Sequence, residues 1–215
     1  MSRNQEKDAI EMAAKNQRIL EEGFRIFSER GIAGVTMTDV AKAAGIGIAS
    51  LYRYYTNKQE LVLTIATWAW KNYFTEQTEK MDRIDRQNIT AAQNMGFFLE
   101  AFLDLYRNHK DLLRFNQFFN VFLQSEQISA ERRQPYNKVI ASLEERFVRI
   151  YQKGQEDGTL RNDVSEGEMF STLVHLMLAA VTRYAVGLVY FNPESDEEKE
   201  LELQKDLLLH QFCVK

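Results

Sequence analysis

Ser50, Tyr52, Arg53 and Tyr54 follow closely on a glycine turn, Gly45-Ile46-Gly47, and gather hydroxyls and a guanidinium on one short segment. Hydroxyls and guanidinium groups donate hydrogen bonds to phosphate oxygens, and a guanidinium also pairs bidentately with the edge of guanine. Such groups read a duplex only when a rigid element carries them into its groove. Residues 31–61, GIAGVTMTDVAKAAGIGIASLYRYYTNKQEL, have the layout of that element, a helix-turn-helix whose second helix enters the DNA major groove.

The supporting helices follow from capping and periodicity. A first helix is expected from about Ala9 or Asn16 to Arg30, since Ile19, Gly23, Ile26 and Phe27 fall on one face at helical spacing. Gly31 ends it as a residue able to take positive φ. Thr36 is a helix cap, and Asp39 stands at the capping-box position three residues on. Val40, Ala41 and Ala44 face inward, and Gly45 stops this second helix. The third is short, about Ala49 to Tyr55, with Leu51 and Tyr55 one turn apart and packed on the first. At about 100° per residue this turns Ala49, Ser50, Tyr52 and Arg53 toward the groove. Arg53 then binds either guanine or a phosphate. Tyr52 and Tyr54 suit phosphate oxygens, and Lys58 adds a cation at the start of a fourth helix capped by Asn57, where free N–H groups already favour an anion.

Composition sets the remaining bounds. Two prolines and ten glycines in 215 residues favour long helices, and further amphipathic helices are expected at about 89–107, 111–124, 133–157, 166–190 and 196–212, the last-but-one ended by Asn192-Pro193. No strand is evident, so the expected fold class is all-α. A lone Cys213 excludes a disulfide framework and a thiolate zinc cluster. The polar N-terminus has no apolar signal core, and the longest apolar run is far too short to span a bilayer, so a soluble, cytoplasmic protein without membrane partners is expected. Net charge is −4, but residues 1–58 hold nine Lys or Arg against seven Asp or Glu, so the acidity lies in residues 59–215. A basic head on an acidic body has the sign that DNA binding requires.

From Arg18 through Leu61 the chain resembles the DNA-binding domain of the TetR family of bacterial transcriptional regulators. The resemblance rests on RILEEGFRIFSERG, then TMTDVAKAAG from Thr36 to Gly45, then SLYRYYTNK from Ser50 to Lys58, with Glu60 and Leu61 after it. The rest matches the family only in length and helical character. The resemblance implies a homodimeric repressor with a three-helix head, residues 1–58, and a helical effector-binding and dimerisation domain, residues 59–215. It also implies that Thr36 and Thr38 approach DNA from the second helix, that Gly47, Ile48, Ala49, Ser50, Tyr52, Arg53 and Tyr54 form the reading surface, and that Lys58 holds a phosphate. Many members carry polar or basic residues where this chain has Gly47 and Ile48; here Ile48 or Ala49 would touch a thymine methyl instead.

In the body, the small residues Ala179, Ala180, Ala185 and Gly187 and the apolar stripe Leu201, Leu207, Leu208 and Phe212 suit either a partner subunit or packing within the chain. Trp68, Phe98, Phe102, Tyr106, Phe115, Phe118, Phe119, Phe122, Met177 and Tyr184 are either core or the lining for a mainly apolar or aromatic small-molecule effector. His175 and Arg183 stand in the most apolar segment as contacts for a polar ligand group or as paired interior residues. An effector would act by shifting populations toward a body that holds two heads wrongly for DNA. Rival readings are a regulator answering to a protein partner or to none, and a helical interaction protein. Catalysis is not expected: no glycine-rich phosphate loop, nucleophile elbow or Glu-x-x-His pair occurs, and no cofactor or metal is implied.

Overall fold

The computed structural model describes residues 3–82, 89–187 and 196–214. Among these the chain forms nine helices: α1 (Arg3–Arg30), α2 (Met37–Ala43), α3 (Ile48–Tyr54), α4 (Lys58–Asp82), α5 (Ala91–Asn108), α6 (Lys110–Ser125), α7 (Ala130–Asp157), α8 (Glu166–Ala185) and α9 (Glu197–Phe212). The all-α fold is therefore as expected. None of these helices is long and apolar enough to cross a membrane. The helix ending expected at Asn192-Pro193 lies outside the described residues; α8 itself closes at Ala185, capped by Val186 and followed by Gly187 at φ 74°.

The chain divides into two compact units. The first comprises Met1–Asn72 and Arg114–Asn137, the second Tyr73–Leu113 and Lys138–Lys215. This differs from a head closing at residue 58, for a physical reason. The buried apolar residues of 1–58 share one core with Leu61, Val62 and Ile65 of α4 and Phe115, Phe119 and Phe122 of α6. Ile19, Phe27, Val40 and Leu51 lie at its centre, fully buried. The apolar face read on α1 is the buried one, and Gly23 lies on it because α4 comes close: a Cβ there would stand 2.6 Å from Ile65 Cδ1. Gly31 takes φ 77° where α1 ends, and its N–H donates back to the Phe27 carbonyl.

In the second unit α5, α8 and α9 pack on one another. Phe98 meets Phe102 and Phe147 edge-on or tilted, and Phe147 meets Phe170. Aromatic pairs prefer these offset geometries to flat sandwiches. Arg107 and Lys205 hold Glu100 and Glu202 in a shared ion-pair network between α5 and α9, which Glu198 joins through Arg107. The end of the chain is strapped down by backbone bonds, Arg161 N–H to the Phe212 carbonyl and Val214 N–H to the Thr159 carbonyl, each 2.9 Å.

Candidate nucleic-acid interface

Local chemistry sets the two helices of the motif. Thr36 caps α2 with its hydroxyl accepting from the Asp39 N–H at 3.2 Å, while the Asp39 carboxylate accepts from the Thr36 N–H at 2.8 Å. The bonds from the Thr36 hydroxyl and backbone hold the Asp39 carboxyl below its ordinary range. At the other end Gly45 takes φ 66°, which lets the Ile46 N–H return to the Ala41 carbonyl at 3.0 Å and turns the chain sharply into α3. Asn57 Oδ1 accepts from the Glu60 N–H at 2.9 Å and so starts α4; the Glu60 carboxylate serves Thr56 rather than Asn57.

Leu51 is fully buried and Tyr55 nearly so, which fixes the rotation of α3. The Tyr55 hydroxyl donates to Asn16 Oδ1 on α1, a partner no sequence motif marked. On the other side Gly47, Ile48, Ala49, Tyr52 and Arg53 are exposed and Ser50 is half-buried. Tyr52 is 51% exposed and Ile48 38%. Thr36 and Thr38 are exposed at the start of α2. Lys58 is half-buried, with the Asp39 and Glu126 carboxylates near its ammonium; burial outweighs them and lowers its pKa from the ordinary value.

Tyr54 departs from the expected reading surface. Its ring packs on the core of the first unit and its hydroxyl donates to the Met12 carbonyl at 3.4 Å, so it braces α1. One turn from Leu51 and beside Tyr55, its position is nearer the buried side than the groove side. The remaining groups are convergent: hydroxyls, one guanidinium, an ammonium and small apolar contacts, carried on one short braced helix and the first turns beside it. Such a surface can donate to phosphates and reach base edges.

The expected effector residues do not come together. Trp68, Phe115, Phe118, Phe119 and Phe122 belong to the first unit, where Phe24 meets both Trp68 and Phe115 and Phe118 lies against Gly31. Phe115, Phe119 and Phe122 are core there, since α6 covers the head's apolar side. Phe98, Phe102, Tyr106 and Met177 are buried in the second unit, with Tyr184 half-buried and its ring 6.2 Å from that of Tyr106. His175 and Arg183 are exposed on α8 rather than interior. Two recesses bear on this set. One, of about 390 Å³ in the first unit, is lined by Thr56, Glu60, Leu63, Thr67, Arg132 and Pro135 among others; the other, of about 660 Å³ in the second, is an open cleft of Tyr106, Arg107, Lys110 and three acidic residues of the α9 start. Only Tyr106 of the expected set lines either.

The expected dimer stripe also resolves. Leu201, Leu208 and Phe212 are buried in their own chain, whereas Leu203 and Leu207 of α9 and Leu176 of α8 stand 60%, 61% and 54% exposed. Ala179 and Gly187 are exposed as well, and Ala185 is buried.

Residues 19–65 match the family described as bacterial regulatory proteins, tetR family. That span runs from the buried face of α1 through the motif into α4. The chain is 34% identical over 98 residues to the HTH-type transcriptional regulator SAB2452 of Staphylococcus aureus, covering 46% of this chain and about half, 51%, of that relative. It is 21% identical over 187 residues to the HTH-type transcriptional repressor KstR2 of Mycobacterium tuberculosis, covering 83% of this chain and 86% of the other. Among solved structures, the regulator FadR of Bacillus subtilis in complex with stearoyl-CoA has the same fold, with a TM-score of 0.70 at 17% identity over 90% of this chain and 97% of that one.

Proposed function

We propose that this chain is a transcriptional regulator of the tetR type, the family that residues 19–65 match, and that it represses transcription by binding a pseudo-palindromic operator as a homodimer, released by a mainly apolar or aromatic small molecule. The observation that carries the DNA half of this reading is the orientation of α3. Leu51 and Tyr55 are buried and Tyr52 and Arg53 exposed on the opposite side, so the helix has one side to stand on and one to present. Thr36, Thr38, Gly47, Ile48, Ala49, Ser50, Tyr52 and Arg53 form the contact surface, and Lys58 sits at the N-terminus of α4 with phosphate as its partner.

A geometric need and the surface support a dimer. Two heads about 34 Å apart, one DNA turn, or a multiple of it, are needed to read two half-sites. The exposed leucines of α8 and α9 offer the apolar face that a second copy would cover. For the effector, Tyr106 lines the open cleft of the second unit with the Tyr184 ring 6.2 Å away, and an apolar or aromatic ligand group seated on that ring is the part of the reading this supports. FadR of Bacillus subtilis was solved with stearoyl-CoA, which makes acyl compounds the first class to assay. Coupling between effector and operator would amount to about 1–3 kcal/mol.

The deciding experiment is capture of fragmented genomic DNA by the purified chain, followed by sequencing and titration of the enriched fragment at several salt concentrations. A two-fold symmetric sequence whose affinity falls steeply with salt is the expected result. Enrichment of no sequence over bulk DNA overturns the reading.

A further inference from the structure

In the second unit three side chains from α4, α5 and the end of α5 converge. Glu76 of α4, Asp104 of α5 and His109 at the α5–α6 corner each offer one ligand atom, and these atoms lie within 4.8 Å of one another. His109 Nε2 stands 3.4 Å from Glu76 Oε2 and 3.8 Å from Asp104 Oδ2. The imidazole is held in place: its ring meets Tyr73 edge-on at 5.1 Å, and its backbone N–H donates to the Leu105 carbonyl at 2.9 Å. Nε2 is shielded from solvent and makes no hydrogen bond among the described residues. A buried ring nitrogen in that condition costs free energy unless something is bound there.

We propose that Glu76, Asp104 and His109 bind a divalent first-row transition metal ion of the Zn²⁺ class. Bonds of about 2.0–2.2 Å place tetrahedral neighbours roughly 3.3–3.6 Å apart. The two measured separations from Nε2 are close to that spacing, so a small inward movement of the carboxylates completes three corners. One imidazole nitrogen with two carboxylate oxygens favours a borderline ion over Mg²⁺ or Ca²⁺, which take all-oxygen sets. Three protein ligands leave a fourth corner for water. The Asp104 carboxylate is also supported as metal ligands usually are. Asp104 accepts from the buried Gln77 amide at 2.5 Å and from the Asn108 amide at 2.9 Å.

Lys80 gives the proposal a signed test. Its ammonium lies 2.8 Å from Glu76 Oε1 and 3.0 Å from Asp104 Oδ2, so it neutralises the same two carboxylates. The side chain is 43% exposed on a long stem and can swing out to water. Lys80 and the metal ion are therefore competitors, and removing the ammonium strengthens metal binding.

The experiment is calorimetric titration of tag-free, full-length, metal-stripped protein with Zn²⁺ alone, with Co²⁺ absorption as a second readout of the ligand field. One ion per chain is expected. His109→Gln and Glu76→Gln each weaken it by about tenfold or more, with helical content unchanged by circular dichroism, and Lys80→Gln tightens it. Equal affinity in the wild type and in both ligand variants, or no stoichiometric ion, overturns the assignment. The titration contains no DNA, so its outcome is independent of the operator reading.

Discussion

The Tyr55 hydroxyl donates to Asn16 Oδ1 at 2.7 Å, joining the C-cap of α3 to α1 across 39 positions of sequence. With Leu51 one turn earlier, it fixes which side of α3 is left exposed. Tyr55→Phe keeps the ring and loses the bond, so unfolding in urea should be easier by about 0.5–1.5 kcal/mol. Burial pushes the Tyr55 phenol up to about 12 from 10.0. A group raised in the folded state contributes stability that is whole below its unfolded value and lost as pH rises through its folded one. The wild type should therefore lose stability between pH 10 and 12, and Tyr55→Phe should lose less. Parallel curves in denaturant titrations at those pH values would contradict this.

Arg53 and Tyr52 are exposed, so removing them should leave the fold intact, within about 0.5 kcal/mol. Arg53→Ala should weaken operator binding by about 1–3 kcal/mol if the guanidinium pairs with guanine. If it meets a phosphate instead, all sequences weaken alike and the salt slope falls by about one. Fluorescence anisotropy over a salt series separates the two. Unchanged binding in both Arg53→Ala and Tyr52→Phe would remove α3 as the reading helix.

Leu203 and Leu207 lie one turn apart on the open side of α9. Glutamate at both positions should give a monomer by sedimentation velocity while the helical signal persists, because neither side chain belongs to the chain's own core. Operator affinity should fall with it, since one head reads only one half-site. A double variant that stays dimeric would place the subunit contact elsewhere.

Gly154 of α7 is buried, and a Cβ there would stand 2.5 Å from Leu160 Cγ and 2.7 Å from Leu160 Cβ. Leu160 Cγ can turn about χ1 but its Cβ cannot, because Leu160 is held where its backbone bridges to Cys213. Gly154→Ala should cost about 1–3 kcal/mol, in spite of the better helix propensity of alanine. Thermal denaturation checks it, and an unchanged midpoint would mean that the α7–α8 connection yields freely.

The helix-turn-helix motif was the most legible part of the chain because its signals are local. Thr36 with Asp39, Gly31 and Gly45 at positive φ, and Leu51 with Tyr55 are settled by atoms a few residues apart. The start of α1 was less legible. It begins at Arg3 rather than near Ala9 or Asn16, since its first turns are exposed and show no apolar period; residue propensity and pairs such as Lys15 with Glu11 support them instead.

By itself the sequence determined where the two short helices of the motif begin and end, that the fold is helical, and which side of α3 faces out, because capping and periodicity operate within a turn or two. Only the tertiary structure decided that α6 supplies Phe115 and Phe119 to the head, that Tyr54 serves α1, and that Leu207 rather than Leu208 is left open. It alone brought Glu76, Asp104 and His109 together. An aromatic residue on an amphipathic helix is drawn inward with the same strength whether its neighbour is core or ligand, and the neighbour is chosen by packing among segments far apart in the chain.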